Sequence, residues 1–208
     1  MAEVFCADEQ SNQPVELERW AALAERVLEA EGVGAEVELS LVFLEETAMS
    51  ELNNRFRGRD EVTDVLSFPI DEEPVESGRY PDGGGTGPGE GVEPDDLPIL
   101  LGDVYVCPAV AARNAPEHAG TYDDEMALLV VHGILHLLGM DHEDDDEAEE
   151  MEARERALLT ALHRGEGPTP APRPAKPWLP PRSADAVTAD QLRRGELPGL
   201  ERNDGDET

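Results

Sequence analysis

Between Glu125 and Gly139 the chain carries Met126, Ala127, Leu128, Leu129, Val130, Val131, Ile134, Leu135, Leu137 and Leu138, so a helix here is apolar on nearly every side. Such a helix is buried all round, and the remaining elements have to be wrapped about it. His132 and His136 stand within this run, one helical turn apart, and leave the same face of the helix. A lone histidine on an apolar helix is a core residue with one hydrogen bond. Two on one buried stripe both need partners, and a single cation answers both. Gly139 is placed to end the helix in a left-handed turn, and the reversal swings His142 back toward the same point as a third ligand. Three ligands leave one coordination position open.

Around this helix the periodicities place an α+β domain. Leu17, Trp20, Ala21, Ala24, Val27 and Leu28 recur at helical spacing, and Gly32 supplies a stop. Val37, Leu39, Leu41 and Phe43 alternate with Glu38 and Ser40, which predicts a strand with one buried face. Met49, Leu52 and Phe56 predict a short helix closed by Gly58. Strands are expected over Val62–Phe68, halted by Pro69, and over Ile99–Cys107. A helix over Pro108–His118 is weakened by Pro116. Thr121 is suited to cap the histidine helix, with Asp123, Asp124 and Glu125 in its first turn where the helix dipole favours negative charge. A last helix is expected from about Asp146 to His163, with Met151, Leu158, Leu159 and Leu162 inward. The expected organisation is one domain over residues 1–164, interrupted by a flexible acidic, Gly- and Pro-rich insertion at 71–98. A disordered proline-rich tail is expected over 165–208.

Composition narrows the partners. The formal charge is −32, from 48 acidic residues against 16 Lys plus Arg. A phosphate backbone is repelled by such a field, which argues against a general nucleic-acid binder. Arg55, Arg57 and Arg59 nevertheless fall together and leave room for a local basic site. Cys6 and Cys107 are too few and too isolated for a disulfide framework, so a reducing cytoplasm is the expected compartment. No secretory signal and no membrane-spanning run is read.

A second block, Leu52-Asn53-Asn54-Arg55-Phe56-Arg57-Gly58-Arg59-Asp60, is followed by Thr63-Asp64-Val65-Leu66-Ser67-Phe68-Pro69, and later by Gly102-Asp103-Val104-Tyr105-Val106. Read alone, the arginines are a surface cluster beside a cleft. Together with the His-Gly-Ile-Leu-His-Leu-Leu-Gly-Met-Asp-His run, in order and separation, these blocks resemble the YbeY family of bacterial endoribonucleases over about Val15–His163. The resemblance implies a zincin-like fold with a small mixed β-sheet, and one zinc ion on His132, His136 and His142. It also implies a functional arginine at Arg57, and action in ribosomal RNA processing, notably at the 3′ end of the small-subunit RNA. Ribosomal RNA and the small ribosomal subunit or its proteins are then the expected partners, with neither DNA nor a membrane. Met140 stands where an aromatic residue is frequent in the family, the insertion is longer than usual, and the tail is extra.

The chemistry these residues suit is metal-assisted hydrolysis of an RNA phosphodiester, with His132 and Arg57 as catalytic residues. A cation on three neutral imidazoles keeps its charge undiluted by anionic ligands, and Arg57 is suited to clamp a substrate phosphate by paired hydrogen bonds. A zinc peptidase shares the layout of ligands but places Glu directly after the first histidine as general base. Gly133 stands there, and Asp141 or Glu143 beyond the turn are unspecific substitutes. A third reading is a non-catalytic ribosome maturation factor, against which the open coordination position argues.

Overall fold

The structure, a computed structural model, describes residues 2–33, 37–70, 99–142 and 144–173. The insertion expected at 71–98 and the chain from 174 onward lie outside the described residues. In chain order the elements are β1 (Glu3–Glu9), α1 (Leu17–Ala30), β2 (Val37–Leu44), α2 (Glu46–Arg57), β3 (Val65–Pro69), β4 (Ile99–Val106), α3 (Pro108–Asn114), α4 (Tyr122–Leu137) and α5 (Asp145–Leu158). A π-helical turn over Leu159–His163 follows α5 directly. The four strands form one mixed sheet in the order β1-β2-β4-β3, in which only β3 runs antiparallel to its neighbour.

Alternation decides which face of the sheet is covered. Val37, Leu39, Leu41 and Phe43 of β2 are buried, and the register sets Leu41 beside Val104 and Phe43 beside Val106. These side chains join Trp20, Ala24, Val27 and Leu28 of α1 and the apolar side chains of α4 in one core. Met126, Ala127, Val130, Val131, Ile134 and Leu135 are fully buried, as an all-round apolar helix requires. Across the sheet, Met49 of α2, Leu66 of β3, Cys107 just before α3 and Val110 of α3 make a smaller cluster.

The helix α4 starts and stops as its sequence foretells. Thr121 caps it by accepting the Asp124 N–H at 3.1 Å. At the other end Gly139 has φ +78°, its N–H donates to the His136 carbonyl at 2.9 Å, and the Met140 N–H donates to the Leu135 carbonyl at 2.9 Å. This pair of bonds is the Schellman arrangement, which satisfies carbonyls the helix leaves open. Among the described residues no helix is long and apolar enough to cross a membrane.

Three local readings differ from expectation. β1 is the element the sequence does not announce, an edge strand paired, among the described residues, with β2 alone, whose burial alternates only from Glu3 to Cys6. β3 starts at Val65 rather than Val62, and the Asp64 carboxylate just before it accepts the Val65 N–H at 2.9 Å. The expected boundary at 164 is crossed by a docked stretch. Arg173 donates Nε–H to Glu31 Oε2 at 2.7 Å, and Arg154 of α5 donates Nε–H to Glu31 Oε1 at 2.6 Å. The Glu31 side chain is 1% exposed, so both charges on it are held out of bulk water. Over 165–173 the chain is therefore tied to the end of α1 through Arg173.

Two stability outcomes follow. A Cβ on Gly133 would meet Val104 Cγ1 at 2.6 Å and Ser67 Oγ at 3.2 Å. Gly133→Ala should thus destabilise by about 1–3 kcal/mol through overpacking, despite alanine's advantage of ~1 kcal/mol in a helix interior; a urea midpoint equal to or above that of the parent would contradict this close approach. Arg173→Ala should cost about 1.5–3 kcal/mol, the range for a hydrogen bond to a charged group, measured by the same denaturation.

Candidate metal centre

The buried helix and its terminal turn bring the three histidines together. His132 and His136 are half-buried on one face of α4, and His142 is exposed just past the Gly139 reversal. One ligand nitrogen from each lies within 4.8 Å of the others, and the Nε2 atoms of His132 and His136 are 3.0 Å apart. The ring centroids of His142 lie 5.6 Å from His132 and 5.0 Å from His136. A tetrahedral ion with metal–nitrogen bonds of about 2.0–2.1 Å sets its ligand nitrogens roughly 3.3–3.4 Å apart, a spacing that this cluster brackets.

Hydrogen bonds on the far side of each ring decide where the protons sit. The Met140 carbonyl lies 2.9 Å from His136 Nδ1 and can only accept, so Nδ1 carries the proton and Nε2 keeps its lone pair. His132 Nδ1 lies 2.7 Å from Glu155 Oε1, and a carboxylate there accepts in the same way. With both rings neutral and both protons on Nδ1, the two Nε2 lone pairs converge at 3.0 Å. A cation shared between them relieves that repulsion, and the donor set fits a bound metal. Burial, then the neighbouring His132 and His142, push the His136 pKa down to about 4. The ring is neutral at physiological pH, as a ligand must be.

Glu155 is the residue of this cluster that the sequence reading misses. It stands on α5 with Met151 and Leu158, both buried, as one acid on an otherwise apolar stripe. That position was its only signal, and it was hidden among the many acids of the same helix.

The backbone at Gly133 is pressed onto the sheet, where Ser67 of β3 donates its hydroxyl to the Gly133 carbonyl at 3.0 Å. A carboxylate side chain at 133 would collide with Val104 and Ser67. Asp141 accepts the His142 backbone N–H at 2.8 Å and shapes the turn. Glu143 lies outside the described residues.

Arg57 ends α2, and Gly58 follows it in the left-handed conformation with its N–H on the Asn54 carbonyl. The side chain is exposed and makes no hydrogen bond or ion pair with any of the described residues, so the structure does not join it to the histidines by a direct contact. Its neighbours are anchored. Phe56 packs against Phe68 of β3 with ring centroids 4.7 Å apart, and the Arg55 guanidinium lies 5.4 Å from the centre of the Phe56 ring. Asn53 is buried and donates to the Glu61 carbonyl at 2.8 Å, pinning the loop that leads into β3. Asn53 is architectural, and β3 touches both the Phe56 segment, through Phe68, and Gly133, through Ser67.

Residues 5–163 match the family described as Endoribonuclease YbeY. A protein named Endoribonuclease YbeY from Salinispora tropica is 40% identical over 152 residues, covering 73% of this chain and 91% of that one. Its namesake in Frankia casuarinae is 42% identical over 158 residues, covering 76% of this chain and 73% of the relative. The Moorella thermoacetica protein of the same name is 39% identical over 159 residues, covering 74% and 94%. With the matched stretch spanning the histidine cluster, the Phe56–Arg57 block and all four strands but the first residues of β1, this chain belongs to the endoribonuclease YbeY family.

Proposed function

We propose that this protein is a zinc-dependent, single-strand-specific endoribonuclease that processes ribosomal RNA in the cytoplasm, with the 3′ end of the 16S RNA as its principal site and ribosome quality control as a second role. The observation that carries the metal assignment is the approach of His132 and His136 Nε2 to 3.0 Å beside a third histidine. A divalent cation bound there supplies Lewis acidity toward a phosphoryl oxygen and toward water at neutral pH. His132, His136 and His142 hold it, and the neutral state of His136 leaves the charge undiluted. Arg57 binds the substrate phosphate from the end of α2, where an always-charged planar guanidinium with no protein partner among the described residues is free to form two parallel hydrogen bonds. Phe56, stacked on Phe68, gives that arginine a fixed base.

The charge of −32 bears on the substrate. The net field repels free RNA, so affinity for it is weak and what binding there is rests on a few local, salt-sensitive phosphate contacts. Recognition then depends on a ribosomal partner that presents the RNA, which is why the small subunit is the proposed setting. The peptidase reading lacks its base, since Gly133 has no room for a side chain.

Two outcomes test this function. His132→Ala should lose its zinc by elemental analysis and cleave single-stranded RNA at least about 100-fold more slowly, beyond what a change outside the ligand set produces; unaltered cleavage would remove the metal from the mechanism. Arg57→Ala should keep its zinc yet lose on the order of 10²–10³ in single-turnover rate, the typical effect of removing one donor to a developing charge, and Arg57→Lys should recover only part of it. A wild-type rate in the alanine variant would take Arg57 out of the site.

A further inference from the structure

We propose that Glu155 is the positioning residue of the histidine cluster: its carboxylate holds the His132 proton on Nδ1 and so keeps Nε2 free to face the metal. The inference rests on the reading of the cluster as a zinc site.

The geometry is specific. Glu155 Oε1 lies 2.7 Å from His132 Nδ1, and the carboxylate is 12% exposed. Glu155 sits on the inner side of α5, among side chains that bury Met151 and Leu158 completely or nearly so. An acid on that stripe costs free energy unless it is paired, and His132 is its hydrogen-bond partner among the described residues. The neighbouring residue fixes the helix that delivers it. Arg154 donates to Glu31 Oε1 at 2.6 Å and to the Ala30 carbonyl at 3.4 Å, which ties α5 to the end of α1 at the turn that carries Glu155.

The two core histidines thus have different orienting groups. His136 is set by a backbone carbonyl that the Gly139 turn carries back beneath it, an acceptor no side-chain substitution removes. His132 depends on a side chain alone. Without an acceptor at Nδ1, the proton of a neutral His132 is better placed on Nε2, where it donates to His136 Nε2 3.0 Å away and closes the site against a metal. An ionised acceptor on Nδ1 reverses that preference and makes the ring a stronger donor.

The test uses the full-length protein with Glu155→Gln, which retains a carbonyl oxygen as acceptor, and Glu155→Leu, which fills the apolar stripe and removes the acceptor. In the metal-free protein at alkaline pH, ¹⁵N spectra of the imidazoles should place the His132 proton on Nδ1 in the parent and in Glu155→Gln, and on Nε2 in Glu155→Leu. Zinc affinity, measured by competition with a chromophoric chelator, should fall by about 10–100-fold in Glu155→Leu and by less in Glu155→Gln. A His132 proton that stays on Nδ1 in Glu155→Leu, or a zinc affinity within about two-fold of the parent there, would overturn the role, with the 10–100-fold fall as the reference. The spectra need neither metal nor RNA, so a tautomer shift in a protein that cleaves no RNA would leave this assignment standing and sink the nuclease.

Discussion

Close packing of α4 on the sheet at Gly133 is the contact from which the remaining geometry is built. The helix is apolar all round, so burial alone would let it rotate or slide against its neighbours. The absence of a side chain at Gly133 removes that freedom, because the helix backbone drops against Val104 and takes the Ser67 hydroxyl on its own carbonyl. One rotational setting is selected, and with it the direction in which His132 and His136 leave the helix. The Gly139 reversal then needs to bring back only a short segment for His142 to arrive.

The same contact ties the two halves of the family pattern together. β3 presents Ser67 to α4 on one face, while Phe68 on the other face packs against Phe56 at the end of α2. The arginine block and the histidine helix share no direct bond among the described residues, but they share a strand. Charge follows a related division of labour. Arg19 pairs with Asp123, Arg113 with Glu46, and Arg154 and Arg173 with Glu31, so these arginines fasten one element to another. Arg55, Arg57 and Arg59 make no such pair with any of the described residues.

Legibility in the sequence followed the range of the interaction involved. The buried helix, its Thr121 cap and its Gly139 stop are written within a few residues of where they act, and the histidine cluster comes with them because helix pitch and one turn place all three rings. The alternation of β2 is equally local. β1 was not legible, since Glu3, Asp8 and Glu9 dilute its pattern and Phe5, 67% exposed, points away from the core. Glu155 was hidden because its role depends on how α5 lies on α4, which no spacing within α5 reveals. The ion pair that ties down 165–173 was not legible either, because it joins Arg173 to a carboxylate far away in the chain.

That carboxylate also bears on the order in which the molecule is completed. Glu31 closes the first helix, yet its two cations arrive 123 and 142 residues later. As the chain is synthesised from its N-terminus, α1 can form and pack early, but its end carries an uncompensated anion that is buried only when α5 and Arg173 have both emerged. Contacts of such separation are slow to close. Arg154 and Arg173 thus fasten the end of the first helix from late in the chain, and that anchorage is complete only once both have been made.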